Sequence, residues 1–150
     1  MASWTQQALI EAPVEEIWAL LGNPERYAEW AADSVEVTGV PTEIKKGSTF
    51  QHTSPGLVRG STTTFEVEEL DDLREIKLRC QMSGYYSHWR LTEARGETFT
   101  DVEFGVEPIG LHGQVARVLM TKNHLRQVAE ESLDGLRRAA GASEPGGRPE

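Results

Sequence analysis

Apolar side chains recur at Leu111, Val115, Val118, Leu119, Leu125, Val128, Leu133 and Leu136, a spacing that keeps returning to one side of a 3.6-residue turn. Arg117, Lys122, Arg126, Gln127, Glu130, Glu131, Arg137 and Arg138 fall mostly on the other side. No proline interrupts residues 110–140, and Gly141 supplies the left-handed conformation that ends a helix. The pattern predicts one amphipathic helix over residues 110–140, about 45 Å long. Lys122 breaks its stripe midway and is expected to snorkel outward or to meet a ligand's acid group. A rod polar on one side only must lay the other side on a broad apolar surface.

Upstream the period shortens to two. Residues 4–11 read as a first strand, stopped by Ala12-Pro13. Pro13 followed by Glu15 and Glu16 marks a helix start, with carboxylates in its positive first turn. Val14, Ile17, Trp18 and Leu21 form its apolar face, and Gly22 closes it. Asn23-Pro24-Glu25 starts a second short helix carrying Tyr27 and Trp30. Six strands follow, at 34–40, 48–53, 61–70, 73–82, 85–92 and 98–106, separated by turn signals such as Ser54-Pro55-Gly56 and Arg95-Gly96. Their alternation puts Phe50 and His52 on one face, then Thr63, Phe65 and Val67, then Ile76, Leu78 and Cys80, then Tyr85, Ser87, Trp89 and Leu91. Pro108 stops the last strand.

The order β-α-α-β6-α defines an α+β class. One-faced strands leave one sheet face wet, so the long helix covers the other. A twisted sheet curled around a rod does not pack flush along its length, and a cleft between them is expected. Residues 142–150, with Ser143, Pro145, Gly146, Gly147 and Pro149, read as a disordered tail. That leaves 1–141 as a single domain.

Composition narrows the partners. Across 150 residues there are 24 acidic and 15 basic side chains, a formal charge of −9, with no dense basic run. Nucleic acid and anionic membrane both need a basic footprint, so neither is expected. The lone Cys80 allows no internal disulfide and suits a reducing cytoplasm. The early polar residues do not read as a signal peptide, and no apolar run approaches the roughly 20 residues of a membrane span. A soluble cytoplasmic protein is expected, with a homodimer left open.

Residues 11–30, EAPVEEIWALLGNPERYAEW, resemble the opening signature of the START-like (SRPBCC, helix-grip) superfamily. That superfamily includes bacterial polyketide cyclases/dehydrases and the birch-pollen-allergen relatives. The matching positions are Ala12-Pro13, Glu15-Glu16, Ile17-Trp18, Pro24, Tyr27 and Trp30. Residues 88–104 resemble the family's Trp-containing strand, tight turn and final strand, although Glu97 separates Gly96 from Thr98 where many members join them. The resemblance implies a helix-grip fold, a curved antiparallel sheet wrapped around a long C-terminal helix with an internal cavity. It does not single out one activity, because this fold hosts carriers, sensors, cyclases and regulatory partners.

If the inward positions line that cavity, its walls are Tyr27, Trp30, Phe50, His52, Thr63, Phe65, Leu78, Cys80, Tyr85, Trp89 and Phe104, with Val115, Val118 and Leu119 from the helix. Such a surface suits an apolar molecule with sparse polar groups; filling of the gap by these same side chains is the alternative. His52 titrates near neutrality, Arg59 can clamp an acid at the cleft mouth, and Tyr85 can reach a ligand carbonyl. These are candidates for catalysis, with no constellation assignable; His88 is expected in solvent and Cys80 inert. His52, His88, His112 and His124 show no metal spacing, and no GxSxG, P-loop or GxGxxG motif calls for a hydrolase, nucleotide or cofactor. Three readings follow: binding of a small hydrophobic molecule (lipid-, polyketide- or aromatic-like), cyclisation and dehydration of a polyketide-like chain, or a protein-interaction module.

Overall fold

Residues 2–55 and 62–141 are described by the structure, a computed structural model. Arg59 and the 142–150 tail lie outside the described residues. Seven strands form one antiparallel sheet in the order β1-β7-β6-β5-β4-β3-β2. They are β1 (Ala2–Ile10), β2 (Glu36–Thr38), β3 (Thr49–Thr53), β4 (Thr62–Asp71), β5 (Glu75–Cys80), β6 (Tyr85–Ala94) and β7 (Glu97–Val106). From β2 to β7 each strand pairs with its successor, and β1 returns to pair with β7 along its whole length, from Ala2 opposite Val106 to Ile10 opposite Thr98. β2 is shorter than the 34–40 strand the alternation predicts.

Turn chemistry sets the register. Arg95 and Gly96 both take positive φ, 57° and 80°, as a two-residue hairpin loop whose twist matches its strands requires. Ala94 then faces Glu97. A register shift between Val67 and Glu69 inserts an extra residue in β4. It lets Phe65, Val67 and Leu70 all reach the core side, where strict alternation would have turned Leu70 outward.

Two short helices cross from β1 to β2. Helix α1 (Val14–Leu21) buries Val14, Ile17, Leu20 and Leu21, and its first free amide, Val14 N–H, donates to Glu93 Oε2 on β6 at 2.9 Å. A 3₁₀ turn, Pro24–Glu29, then delivers Tyr27 and Trp30 to the core.

The single rod expected over residues 110–140 is two helices, α2 (Gly110–Leu119) and α3 (Lys122–Ala139). Thr121 breaks them apart: in extended conformation, its hydroxyl accepts from His124 N–H at 3.2 Å, the geometry of an N-cap. The apolar spacing runs on in phase across the break, so periodicity alone could not reveal it. Helix α3 carries the grip, burying Leu125, Val128, Ala129, Ser132, Leu133, Gly135 and Leu136 across β1 and β7. Helix α2 leaves Leu111, Val115, Val118 and Leu119 exposed, at 78, 51, 70 and 48%.

Gly135 lets α3 lie directly on the backbone after the 3₁₀ turn, since a Cβ there would meet Trp30 O at 2.1 Å. One turn earlier, Ser132 Oγ accepts from Ala32 N–H at 3.0 Å. Together they fix the segment Trp30 to Ser34 against α3. That segment carries the chemistry described below.

The outer sheet face is polar, as the alternation predicts. Glu68 bridges Arg79 at 2.7 Å and Lys77 at 3.6 Å, and both cations lie 5.2 Å from the Tyr86 ring centre. His88 sits on this face but is not in solvent: it is only 9% exposed, covered by its contact with Glu75 and by Arg90 Nη2, 3.2 Å from its Nδ1. A histidine beside a carboxylate on a packed outer face is a structural histidine.

Candidate functional site

The inward aromatic side chains meet one another. Tyr27 stands edge-on to Trp30 at 5.3 Å, Trp30 to Trp89 at 5.4 Å, and Trp89 to Phe104 at 5.9 Å. Phe104 stacks on Tyr85 at 6.2 Å, and His52 stacks on Phe65 at 4.1 Å. Edge-to-face contacts of this kind are favourable beyond the area they bury. What remains among Trp30, Asp33, Ser34, His52, Ser87 and Trp89 is a chamber of about 10 Å³, room for about one water. The centre of the domain is core.

Toward β4 and β5 the sheet curves away from α3 and leaves a real opening. This cleft has a volume of about 310 Å³, at the lower end of the ordinary range for small-molecule sites. Thr63, Phe65, Cys80 and Tyr85 form its sheet wall, Val128 and Gln127 its helix wall, and Met120 its end. Exposed His124 and Glu131 stand at the α3 rim. Asp33 and Phe65 belong to both spaces, the cleft and the small chamber.

Asp33 anchors a chain of hydrogen bonds. Its Oδ2 accepts from the Tyr85 hydroxyl at 2.8 Å and its Oδ1 from Ser34 Oγ at 3.0 Å. Ser34 Oγ lies 3.0 Å from His52 Nε2, and His52 Nδ1 lies 3.4 Å from Ser54 Oγ. With the Ser34 proton given to Asp33, Ser34 can only accept from His52, which places the imidazole proton on Nε2 and leaves Nδ1 to accept from Ser54. One neutral tautomer satisfies every member. Burial, partly opposed by the Asp33 charge, lowers the His52 pKa and favours that neutral form. Burial, with the Asp33 charge second, pushes the Tyr85 phenol well above its ordinary range, so it stays a donor.

A serine hydroxyl beside an imidazole is the beginning of a nucleophilic pair. Here Ser34 and His52 close on the 10 Å³ chamber behind Asp33, which admits no acyl group. The pair holds Asp33 in place. Asp33, Tyr85 and Ser54 of this chain line the cleft.

Comparison with known proteins places the fold. A family model described as polyketide cyclase / dehydrase and lipid transport matches residues 1–141. The chain belongs to this family. Among solved structures it resembles Bacillus halodurans protein BH1534, with 17% identity over 93% of this chain and 97% of that one and a TM-score of 0.70. It resembles TTHA0849 from Thermus thermophilus, with 16% identity, 92 and 96% coverage and a TM-score of 0.69. It also resembles the ZhuI aromatase/cyclase from Streptomyces sp. R1128, with 17% identity, 92% coverage of each chain and a TM-score of 0.64. No curated protein sequence matches significantly. At these identities the structural likeness concerns the helix-grip fold.

Against that family frame, the residues expected to line one cavity separate into three groups. Thr63, Phe65, Cys80 and Tyr85 line the open cleft. Tyr27, Trp30, His52, Leu78, Trp89 and Phe104 surround the small chamber, which Phe65 also lines, and Phe50 packs beside them in the core. Val115, Val118 and Leu119 line neither, because the break at Thr121 swings α2 off the sheet and exposes them. Of the three catalytic candidates, Tyr85 faces the cleft, His52 is buried at 2% exposure, and Arg59 lies outside the described residues. Asp33 and Ser34 escaped the sequence reading because they follow the second short helix in a stretch without periodicity. Their one local signal was a carboxylate and a hydroxyl directly after the aromatic Tyr27–Trp30 pair.

Proposed function

We propose that the protein holds a small, largely apolar molecule in the cleft between α3 and strands β4 to β6. The observation that carries this reading is the 310 Å³ opening walled by Phe65, Val128 and Met120, with the Asp33–Tyr85 pair as its polar anchor. An apolar hollow with a few converging polar groups is the usual form of a small-molecule site. The family description, polyketide cyclase / dehydrase and lipid transport, supports the same class of ligand.

The full chain should enhance the fluorescence of N-phenyl-1-naphthylamine, a neutral apolar probe, and native mass spectrometry of freshly purified protein should show a co-purified ligand. Val128→Trp places an indole in the opening and should weaken probe binding by about tenfold or more, as expected when a site of this size loses most of its volume. Unchanged binding by that variant would remove the cleft from consideration.

A second reading is favoured by the Asp33–Tyr85 pair itself. A carboxylate and a neutral phenol 2.8 Å apart at the wall of an apolar cleft can take a proton from carbon and stabilise the enolate that results. Cyclisation of a poly-carbonyl chain needs that chemistry, together with a cleft that brings two carbons together. Accelerated hydrogen–deuterium exchange at the central carbon of an aryl 1,3-diketone, lost in Asp33→Asn, is the expected result if the pair is catalytic. Exchange at the buffer rate leaves simple binding.

A further inference from the structure

Two carboxylates line the cleft. Asp33 offers carboxylate oxygens, of which two lone-pair directions are taken by Ser34 and Tyr85 and about two more remain. Glu131 adds a second carboxylate at the rim. Several of the donors around them are turned inside the protein. The Tyr85 hydroxyl gives its proton to Asp33, the Cys80 thiol points to Thr63 Oγ1 at 3.5 Å, and the Gln127 amide donates to Glu131 Oε1 at 3.3 Å. The Ser54 hydroxyl is turned to His52 Nδ1, and Ala32 N–H to Ser132 Oγ. The Thr63 and Ser83 hydroxyls and the exposed His124 also line it, but among the described lining residues there is no lysine or arginine.

An acid entering such a site meets like charge in a partly dry setting, where two charges a few ångströms apart repel far more than in water. With no lysine or arginine among the described lining residues to pair with, its charge is compensated less well than in water. A phenol, alcohol or amine has the opposite fortune, because its proton meets a waiting carboxylate, a charge-assisted hydrogen bond.

Resting on the cleft proposed above as a binding site, we infer that it selects amphiphiles whose polar end donates hydrogen bonds (phenols, alcohols or amines) and rejects carboxylic acids of the same size. The acidic lining therefore acts as a filter on head-group chemistry, with shape left to Phe65, Val128 and Met120.

Three naphthalene probes of one size test this: 2-naphthol, 2-naphthylmethylamine and 2-naphthoate, titrated into the full chain by calorimetry at pH 7 and low salt. The naphthol and the amine should bind at least about tenfold tighter than the naphthoate. Glu131→Gln, an exchange at an exposed position, should narrow the gap by a few fold, and Asp33→Asn should narrow it further. Should Asp33→Asn fail to fold, the Glu131→Gln result alone decides, and an unaltered gap there overturns the assignment. Naphthoate binding as tightly as naphthol also overturns the filter while leaving the cleft as a binding site. Absence of binding by all three probes overturns both.

Discussion

Trp89→Ala should destabilise the protein by about 3–5 kcal/mol, the range for removing a large buried aromatic. Trp89 is 3% exposed and stands edge-on to both Trp30 and Phe104. Across the strands its neighbours are Ile76 and Val102, both fully buried. Nothing nearby can collapse into the space without breaking the aromatic run, so the deleted indole leaves a cavity. In a domain of this size the loss corresponds to a melting point lower by about 10 °C or more. Urea denaturation gives the energy directly, and Trp89→Phe should fall between the two. A loss below about 1 kcal/mol, accompanied by weakened binding of N-phenyl-1-naphthylamine, would place Trp89 in a ligand wall instead.

That prediction separates two things the sequence treats alike. Alternation along β6 identifies Tyr85, Ser87, Trp89 and Leu91 as inward, and the structure agrees. Alternation fixes direction, not distance. Whether an inward ring meets another ring or an empty space depends on how far the sheet has curled from the helix at that strand. Near β7 and the Trp89 end of β6 it lies close, and Trp89 and Phe104 fill the gap. Near β4 and β5 it has drawn away, so Phe65 and Cys80 face the cleft while their sequence pattern looks the same.

The helical end shows a similar boundary. From Leu125 onward the 3.6-residue period marks the buried stripe well, because packing against β1 and β7 rewards every apolar position. Before Thr121 the same period belongs to α2, whose Val115, Val118 and Leu119 are exposed. Lys122 did interrupt the stripe, and Thr121 beside it is a capping residue type. Reading the two together, rather than Lys122 as a snorkelling side chain, would have divided the helix.

The candidate site was less legible than the fold for a different reason. His52 stood out as the inward titratable group, and it is indeed inward, but its partners come from elsewhere in the chain. Asp33 and Ser34 come to it through backbone contacts made by α3, namely Gly135 against Trp30 and Ser132 against Ala32. Contacts between residues about 100 positions apart leave no local pattern to read.

The same network makes stability depend on pH in a definite direction. His52 is buried and hydrogen-bonded as the neutral imidazole, so its folded pKa lies below the ordinary 6.5. As pH falls through 6.5 the unfolded chain binds a proton at this position before the folded chain does, and stability drops. The contribution is complete above pH 6.5, declines below it, and levels off once the folded imidazole also titrates. Within that window the loss stays below the one-proton limit of about 1.4 kcal/mol per pH unit. The Asp33 charge opposes the shift and Ser34, Ser54 and Phe65 enclose the ring, so removing the titration should remove the slope. Denaturation of the wild type and of His52→Gln at pH 7.5 and pH 5.5 isolates the term, because carboxylate effects are common to both proteins. The wild type should lose more stability than the variant between these pH values. Equal losses would mean that His52 accepts a proton in the fold as readily as in the unfolded chain, and the neutral chain from Ser54 to Tyr85 would then be wrong.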